Sequence, residues 1–260
     1  MRRYHVVEFE DLPWFPSILR DYTTDFLQFM VNHFDFYQGL VPIISRGMEA
    51  AGSDNIIDLA SGGGGGWRGI IQPLQALHPD LKITLTDRYP NVQAFTALES
   101  QYGDTVRPVT ASVDALAVPP ELTGLRTQFL SFHHFRPEAA RQILQNAVDQ
   151  RAPLLIVEIQ NRDGVNLLKH MLSPVSVLLT APFIRPFRWG RLFLTWVLPV
   201  LPFVVWWDGL ASVLRTYSEE EIRTMIASLD GGEKYNWEID CDRGGPAPVY
   251  YVAGFPNERG

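Results

Sequence analysis

The chain has 260 residues, enough for one large domain or two small ones. Hydrophobic residues make up 46% and aromatics 12%, which excludes a mainly disordered chain, and a net charge of −7 argues against a general nucleic-acid binder. The single cysteine, Cys241, excludes an internal disulfide and a cysteine-built zinc site.

The opening M-R-R-Y-H-V-V-E-F-E-D has no apolar run behind its arginines, so no cleaved signal peptide is expected and the cytoplasm is the expected compartment. Residues 1–52 read as a helical segment. Tyr22, Phe26, Met30 and Phe34 recur at a step of four along one helix face, and Pro13 and Pro16 stand where a helix can start.

From Asn55 to Ile159, short apolar runs alternate with helical stretches: N-I-I-D-L, K-I-T-L-T-D, V-R-P-V-T-A-S, T-Q-F-L-S-F and P-L-L-I-V-E-I. Strands so uniformly apolar are buried on both faces, so residues 53–163 are expected to form a doubly wound α/β core with a parallel sheet. Y-N-W-E-I-D and P-V-Y-Y-V-A-G-F, around the turn R-G-G-P, add a closing pair of strands within residues 215–260.

Residues 164–214 interrupt this alternation. No Asp or Glu occurs from Gly164 through Trp207, whereas Lys169, Arg185, Arg188 and Arg191 do. The sixteen-residue run L-F-L-T-W-V-L-P-V-L-P-F-V-V-W-W contains Pro199 and Pro202, and a spanning helix needs roughly 20 mostly apolar residues, so a transmembrane anchor is not expected. A hydrophobic lid, or a segment lying in a membrane interface, fits this composition. Beyond it, Ser218 and Glu221 in Y-S-E-E-E-I form a capping box that opens a helix.

The sharpest local signal is N-I-I-D-L-A-S-G-G-G-G-G-W, a strand ending in Asp58 that runs into five glycines. Such a turn lets backbone approach a ligand closely, and phosphate is one guest for it. Trp67 and Arg68 follow where a nucleoside-triphosphate loop has Lys and Ser or Thr, and Asp58 is out of place for a dinucleotide turn. D-L-A-S-G-G-G-G-G resembles motif I of class I S-adenosylmethionine-dependent methyltransferases, departing from it at Ala60, where that family usually has glycine; the likeness runs from about Asn55 to Phe255. The resemblance implies a Rossmann-like methyltransferase fold with S-adenosylmethionine as cofactor and residues 1–52 covering the active site. It implies Asp58 near the methionine amino group, with Ala60, Ser61, Gly62 and Gly64 lining the loop. It also implies Asp87, followed by Arg88, at the ribose hydroxyls, and Asp114, with Ser112 nearby, at the adenine amino group.

His133 and His134 follow the fourth strand, where open α/β domains bind ligands, and a neutral imidazole there can take a proton during methyl transfer. The alternative is a structural role at the start of the next helix. Two adjacent histidines are too few for a metal, and none is expected. Asp208, Arg215 and Tyr217 stand in a charge-poor stretch, where they either pair with one another or face substrate. With Tyr22, Trp196 and Trp207 they are the candidate substrate contacts, and the crowded aromatics predict a hydrophobic or aromatic small molecule such as a specialised metabolite, a lipid or a quinone-like compound. The expected activity is in-line methyl transfer in a water-excluded pocket. Two other readings remain at this level: a cofactor-binding fold that catalyses a non-methylating reaction such as cyclisation, and a membrane-surface binding module. No nucleic-acid partner is expected; a homodimer and a peripheral membrane contact through the lid are both compatible with the sequence.

Overall fold

A computed structural model describes residues 1–257. In chain order, helices α1 (Ser17–His33) and α2 (Val41–Ala51) precede strand β1 (Asn55–Asp58). Helix α3 (Ile71–Leu77), strand β2 (Lys82–Leu85), helix α4 (Val92–Tyr102) and strand β3 (Val106–Pro108) follow, then β4 (Leu125–Phe129), α5 (Pro137–Asp149) and β5 (Leu154–Glu158). Next come α6 (Gly164–Met171), α7 (Ser173–Thr180), α8 (Trp189–Leu192), a π-turn (Phe193–Val197) and α9 (Val200–Arg215). Helix α10 (Glu219–Ala227) leads to β6 (Tyr235–Asp242) and β7 (Val249–Pro256). The chain divides into two compact units, one of Met1–Phe34 with Gln160–Ser218 and one of Asp35–Ile159 with the chain from Glu219 onwards.

The second unit is an α/β domain around a sheet of order β3-β2-β1-β4-β5-β7-β6. Strands β1 to β5 are parallel, and β7 joins β5 antiparallel with β6 outside it. Each expected strand is present. β4 starts two residues before T-Q-F-L-S-F because Arg126, 1% exposed, is held in the interior by Asn146 at 2.9 Å and Gln150 at 2.7 Å. β3, at the edge of the sheet, ends at Pro108, and Val109 N–H just beyond it still donates to the Leu85 carbonyl of β2 at 3.0 Å.

The first unit is helical. α1 starts right after Pro16 and buries Leu19, Tyr22, Thr23, Phe26 and Val31, a stripe at helical spacing. Phe34 does not extend that stripe: it is the residue after the helix and is exposed. Tyr22 and Phe26 join Val177, Ile184, Leu201 and Val205 in one apolar cluster. Arg191, fully buried, braces the 184–191 loop by donating to Asp25 (2.8 Å) and to the carbonyls of Ile184 and Pro186. Among the described residues no single helix is long and apolar enough to cross a membrane; Trp189–Val197 and Val200–Arg215 reach that length and apolarity only together, and they are bent by 81° at the break between them.

Candidate functional site

Parallel strands all deliver their C-terminal ends to one edge of the sheet, and the candidate residues of the α/β unit lie along that edge in strand order. At the end of β1, Asp58 is 1% exposed, and its Oδ1 accepts a 2.7 Å hydrogen bond from the Thr127 hydroxyl on neighbouring β4. Burial pushes its carboxyl up to about 6, reinforced by the charge of Asp87 and opposed by Trp67, Thr127 and Ser61. The Thr127 contact is a full hydrogen bond, whereas the buried Trp67 indole N–H has no acceptor within ordinary geometry and acts as a longer-range dipole.

The turn after Asp58 is stitched to β2. Ser61 N–H donates to the Thr86 carbonyl, and Thr86 N–H donates back to the Asp58 carbonyl, both at 2.9 Å. Gly62 and Gly64 have φ of 54° and 88°, the left-handed region that glycine enters without cost. A side chain on Gly64 would collide with Leu98 of α4, while one on Gly62 would point into open space. The glycines do not lead straight into a helix. A 3-10 turn, Trp67–Gly69, comes first and α3 begins only at Ile71, so the donors aimed at the strand ends belong to the turn itself.

Ala60, which stands where the resembled family has glycine, also has a left-handed φ, 50°. A Cβ there costs about 1–2 kcal/mol, against about 0.5–1 kcal/mol of extra chain entropy lost by a glycine. Ala60→Gly is therefore expected to stabilise the fold by about 0.5–1 kcal/mol, read as a higher urea midpoint with unchanged slope. A lower midpoint would show that the alanine side chain packs usefully.

After β2, the Asp87 carboxylate accepts from Gly62 N–H (2.9 Å) and Tyr89 N–H (2.8 Å), tying the glycine turn to the next loop. Ser112 donates to the Arg88 carbonyl at 2.7 Å, and the Arg88 guanidinium lies 3.8 Å from Asp114 Oδ2. Asp114 Oδ1 accepts from Leu116 N–H at 3.0 Å. Asp58, Ser61, Gly62, Asp87, Arg88, Ser112 and Asp114 are thus linked along the ends of β1, β2 and β3.

The histidines follow β4 in a 3-10 turn, Phe132–His134. His133 is 3% exposed, and its Nδ1 lies 2.9 and 3.0 Å from the two oxygens of Glu158, the last residue of β5; its backbone N–H donates to the same carboxylate at 3.1 Å. A carboxylate only accepts, so Nδ1 carries a proton directed at Glu158. The His134 ring lies against that of His133, with centroids 4.3 Å apart. Helix α5 begins with Pro137 in its first turn, and its N-cap residue Arg136 makes no side-chain cap. Sequence reasoning missed Glu158, although an acid closing the apolar strand P-L-L-I-V-E was its trace. It also missed Tyr37, 2% exposed and packed on Phe129, whose phenol is pushed up by burial and by the charges of Glu158 and Asp58.

The six candidate substrate contacts lie in the helical unit, where each has structural partners. Tyr22 is covered by the guanidinium groups of Arg188 and Arg191, each 5.7 Å from its ring centre. Trp196 donates to the Leu178 carbonyl at 3.2 Å and Trp207 to that of Val7 at 2.9 Å. Asp208 accepts from Phe9 N–H at 2.7 Å, Arg215 reaches Asp11 at 2.6 Å and Glu8 at 3.2 Å, and Tyr217 lies under Arg3. Asp208 and Arg215 thus both fasten the N-terminal stretch. Beside them Glu10, crowded by Asp208 and Glu8, has its carboxyl pushed up to about 8, chiefly by burial.

No family model matches the sequence, and neither does a curated protein sequence. Solved structures do match the fold. LaPhzM aligns with a TM-score of 0.54 at 16% identity, over 97% of this chain and 63% of its own. NcsB1, an O-methyltransferase from neocarzinostatin biosynthesis in complex with S-adenosylmethionine and 2-hydroxy-5-methyl naphthoic acid, aligns with a TM-score of 0.52 at 15% identity, over 94% and 60%. Human N-acetylserotonin methyltransferase in complex with S-adenosylmethionine gives 0.50 at 13% identity, over 98% and 63%. The chain spans about three fifths of the length of these structures and has the fold of class I, Rossmann-like methyltransferases.

Proposed function

We propose that the chain is an S-adenosylmethionine-dependent methyltransferase that transfers the methyl group to a hydroxyl of a small aromatic or otherwise hydrophobic molecule. One observation carries this reading: Asp58, Asp87 and Asp114 follow three adjacent strands, and a buried His133–Glu158 pair closes the same edge on the next two. The donor set fits the cofactor. A carboxylate has about four acceptor positions, so Asp87, half-exposed and holding two backbone N–H groups, retains capacity for a ribose diol. Asp58 supplies a buried negative charge for the methionine ammonium, Asp114 an acceptor for the adenine amino group, and Gly62 open room above the turn.

Bound there, the cofactor supplies an electrophilic methyl carbon on a sulfonium. His133 takes the acceptor's hydroxyl proton at Nε2 as oxygen attacks, and Glu158 fixes the tautomer and stabilises the imidazolium that results. Metal ligation is not part of this reading. The aromatic acid in the NcsB1 complex supports an aromatic acceptor, as does the aromatic-rich composition of residues 164–214.

Incubation with S-adenosylmethionine and a panel of phenols, hydroxynaphthoates and quinols tests the proposal. A product heavier by one CH₂, with stoichiometric S-adenosylhomocysteine, is expected; a cyclised product with no added CH₂ and no S-adenosylhomocysteine formed would replace it with the other reading. The raised carboxyl of Asp58 adds a pH dependence. Its ionised form pairs with an ammonium, so affinity is full well above pH 6 and falls as pH drops through about 6 and the group protonates, by about fourfold between about pH 7.5 and about pH 5.5. Titrations at both pH values check this, and Asp58→Asn is expected to abolish the difference.

A further inference from the structure

From the helical unit we infer that the chain docks on the surface of an anionic phospholipid bilayer through α6, α7 and the π-turn. A helix of a water-soluble unit normally turns its apolar stripe inward. These elements also turn one outward: Val165, Leu168 and Leu172 along α6, Val175, Leu178 and Leu179 along α7, and Phe193, Trp196, Val197 and Val200 from the π-turn into α9 are all exposed. In α6 and α7 the spacing is i, i+3, i+4 or i+7, so these two stripes are faces and not a scatter of single residues, while the third set lies on the π-turn and on the first residue of α9 beyond the 81° bend. The inner faces are already spent, with Val177, Leu201 and Val205 in the cluster around Tyr22 and Phe26.

The outward faces adjoin one another. Trp196 donates to the Leu178 carbonyl, linking the π-turn to α7, and Trp206 Nε1 lies 3.4 Å from Met171 Sδ, linking α9 to the end of α6. Trp189, 77% exposed, and Phe183, 66% exposed, extend the surface, and aromatic rings of this kind favour the boundary between headgroups and acyl chains.

Charge chooses the occupant. The protein as a whole carries −7, yet residues 164–207 contain no acid, and Lys169 and Arg185 are exposed on this segment; half-buried Arg188 lies 3.8 Å from Asp25 of α1. An anionic headgroup layer complements that arrangement. A second copy complements it less well, because a two-fold contact would set the exposed cations Lys169 and Arg185 of one segment against those of another segment that carries no acid of its own.

Flotation with vesicles of equimolar phosphatidylcholine and phosphatidylglycerol tests this independently of any catalysis. The wild type is expected to float with these vesicles, to bind pure phosphatidylcholine vesicles at least about fivefold more weakly, and to lose tryptophan fluorescence to lipids brominated in the upper acyl chain. Phe193→Ser with Trp196→Ser is expected to weaken binding about 10-fold or more, and Arg185→Ser about fivefold. These side chains are exposed, and circular dichroism checks that the variants fold; the quenching arm needs only the wild type. Absence of flotation, equal binding to both vesicle types, or light scattering that shows a dimer broken by Phe193→Ser and Trp196→Ser without vesicle binding would each overturn the inference.

Discussion

Replacing His133 by alanine is expected to lower kcat by about 10² to 10⁴-fold while leaving S-adenosylmethionine affinity unchanged, the signature of a proton acceptor that does not hold the cofactor. The site is suited to a clean measurement. Glu158 also accepts from the His133 backbone N–H at 3.1 Å, so removing the ring does not strand the buried carboxylate. Glu158→Gln should lower kcat by a smaller factor and shift the pH profile, because an amide can present its NH₂ to Nδ1 and so favour the wrong tautomer. A His133→Ala variant with full activity on a hydroxyl acceptor would leave proximity and orientation as the sole sources of rate, and the histidine with a structural role.

The second large effect is expected at Asp87. Loss of its carboxylate removes a charged acceptor worth roughly 1.5–3 kcal/mol, a weakening of about 10-fold or more in S-adenosylmethionine binding. Asp87→Ala also unties Gly62 from the loop after β2, since the carboxylate joins the two through Gly62 N–H and Tyr89 N–H. Asp87→Asn separates these roles. Its side-chain oxygen can still accept from one N–H, so an affinity between those of wild type and Asp87→Ala is expected, measured by calorimetry. Equal affinities for all three proteins would remove Asp87 from the cofactor site.

Much of the α/β unit was legible in the sequence because buried parallel strands write themselves as unbroken apolar runs. N-I-I-D-L and P-L-L-I-V-E-I needed no spatial information, and an acid followed by five glycines marks a turn wherever it occurs. Other features depend on distant contacts. That β7 inserts between β5 and β6 follows from edge pairing, and the same runs would read identically in either order. Arg126 looks like a surface residue until Asn146 and Gln150, 20 and 24 residues further along the chain, provide its partners. The His133–Glu158 pair joins the ends of two strands with a whole helix between them, so the sequence pointed to the histidine but not to its carboxylate.

The helical unit was legible in composition and illegible in form. Helices that are apolar on every side have no periodicity to read, and the run from Leu192 to Trp207 reads as one greasy block. In the structure it is divided at Leu198 and Pro199 into a π-turn and α9. The charged residues near its end gave the opposite difficulty. Asp208 and Arg215 stand out in a charge-poor stretch, yet their partners Phe9, Glu8 and Asp11 lie some two hundred residues earlier, where no local pattern leads.

The central claim is that the acids at the ends of β1, β2 and β3 form a binding site for S-adenosylmethionine. Calorimetric titration of the wild-type chain with S-adenosylmethionine tests it most directly. Saturable binding at one site per chain, weakened in Asp87→Ala, is the predicted result; a titration with no heat of binding and no shift in thermal midpoint at saturating S-adenosylmethionine would contradict it.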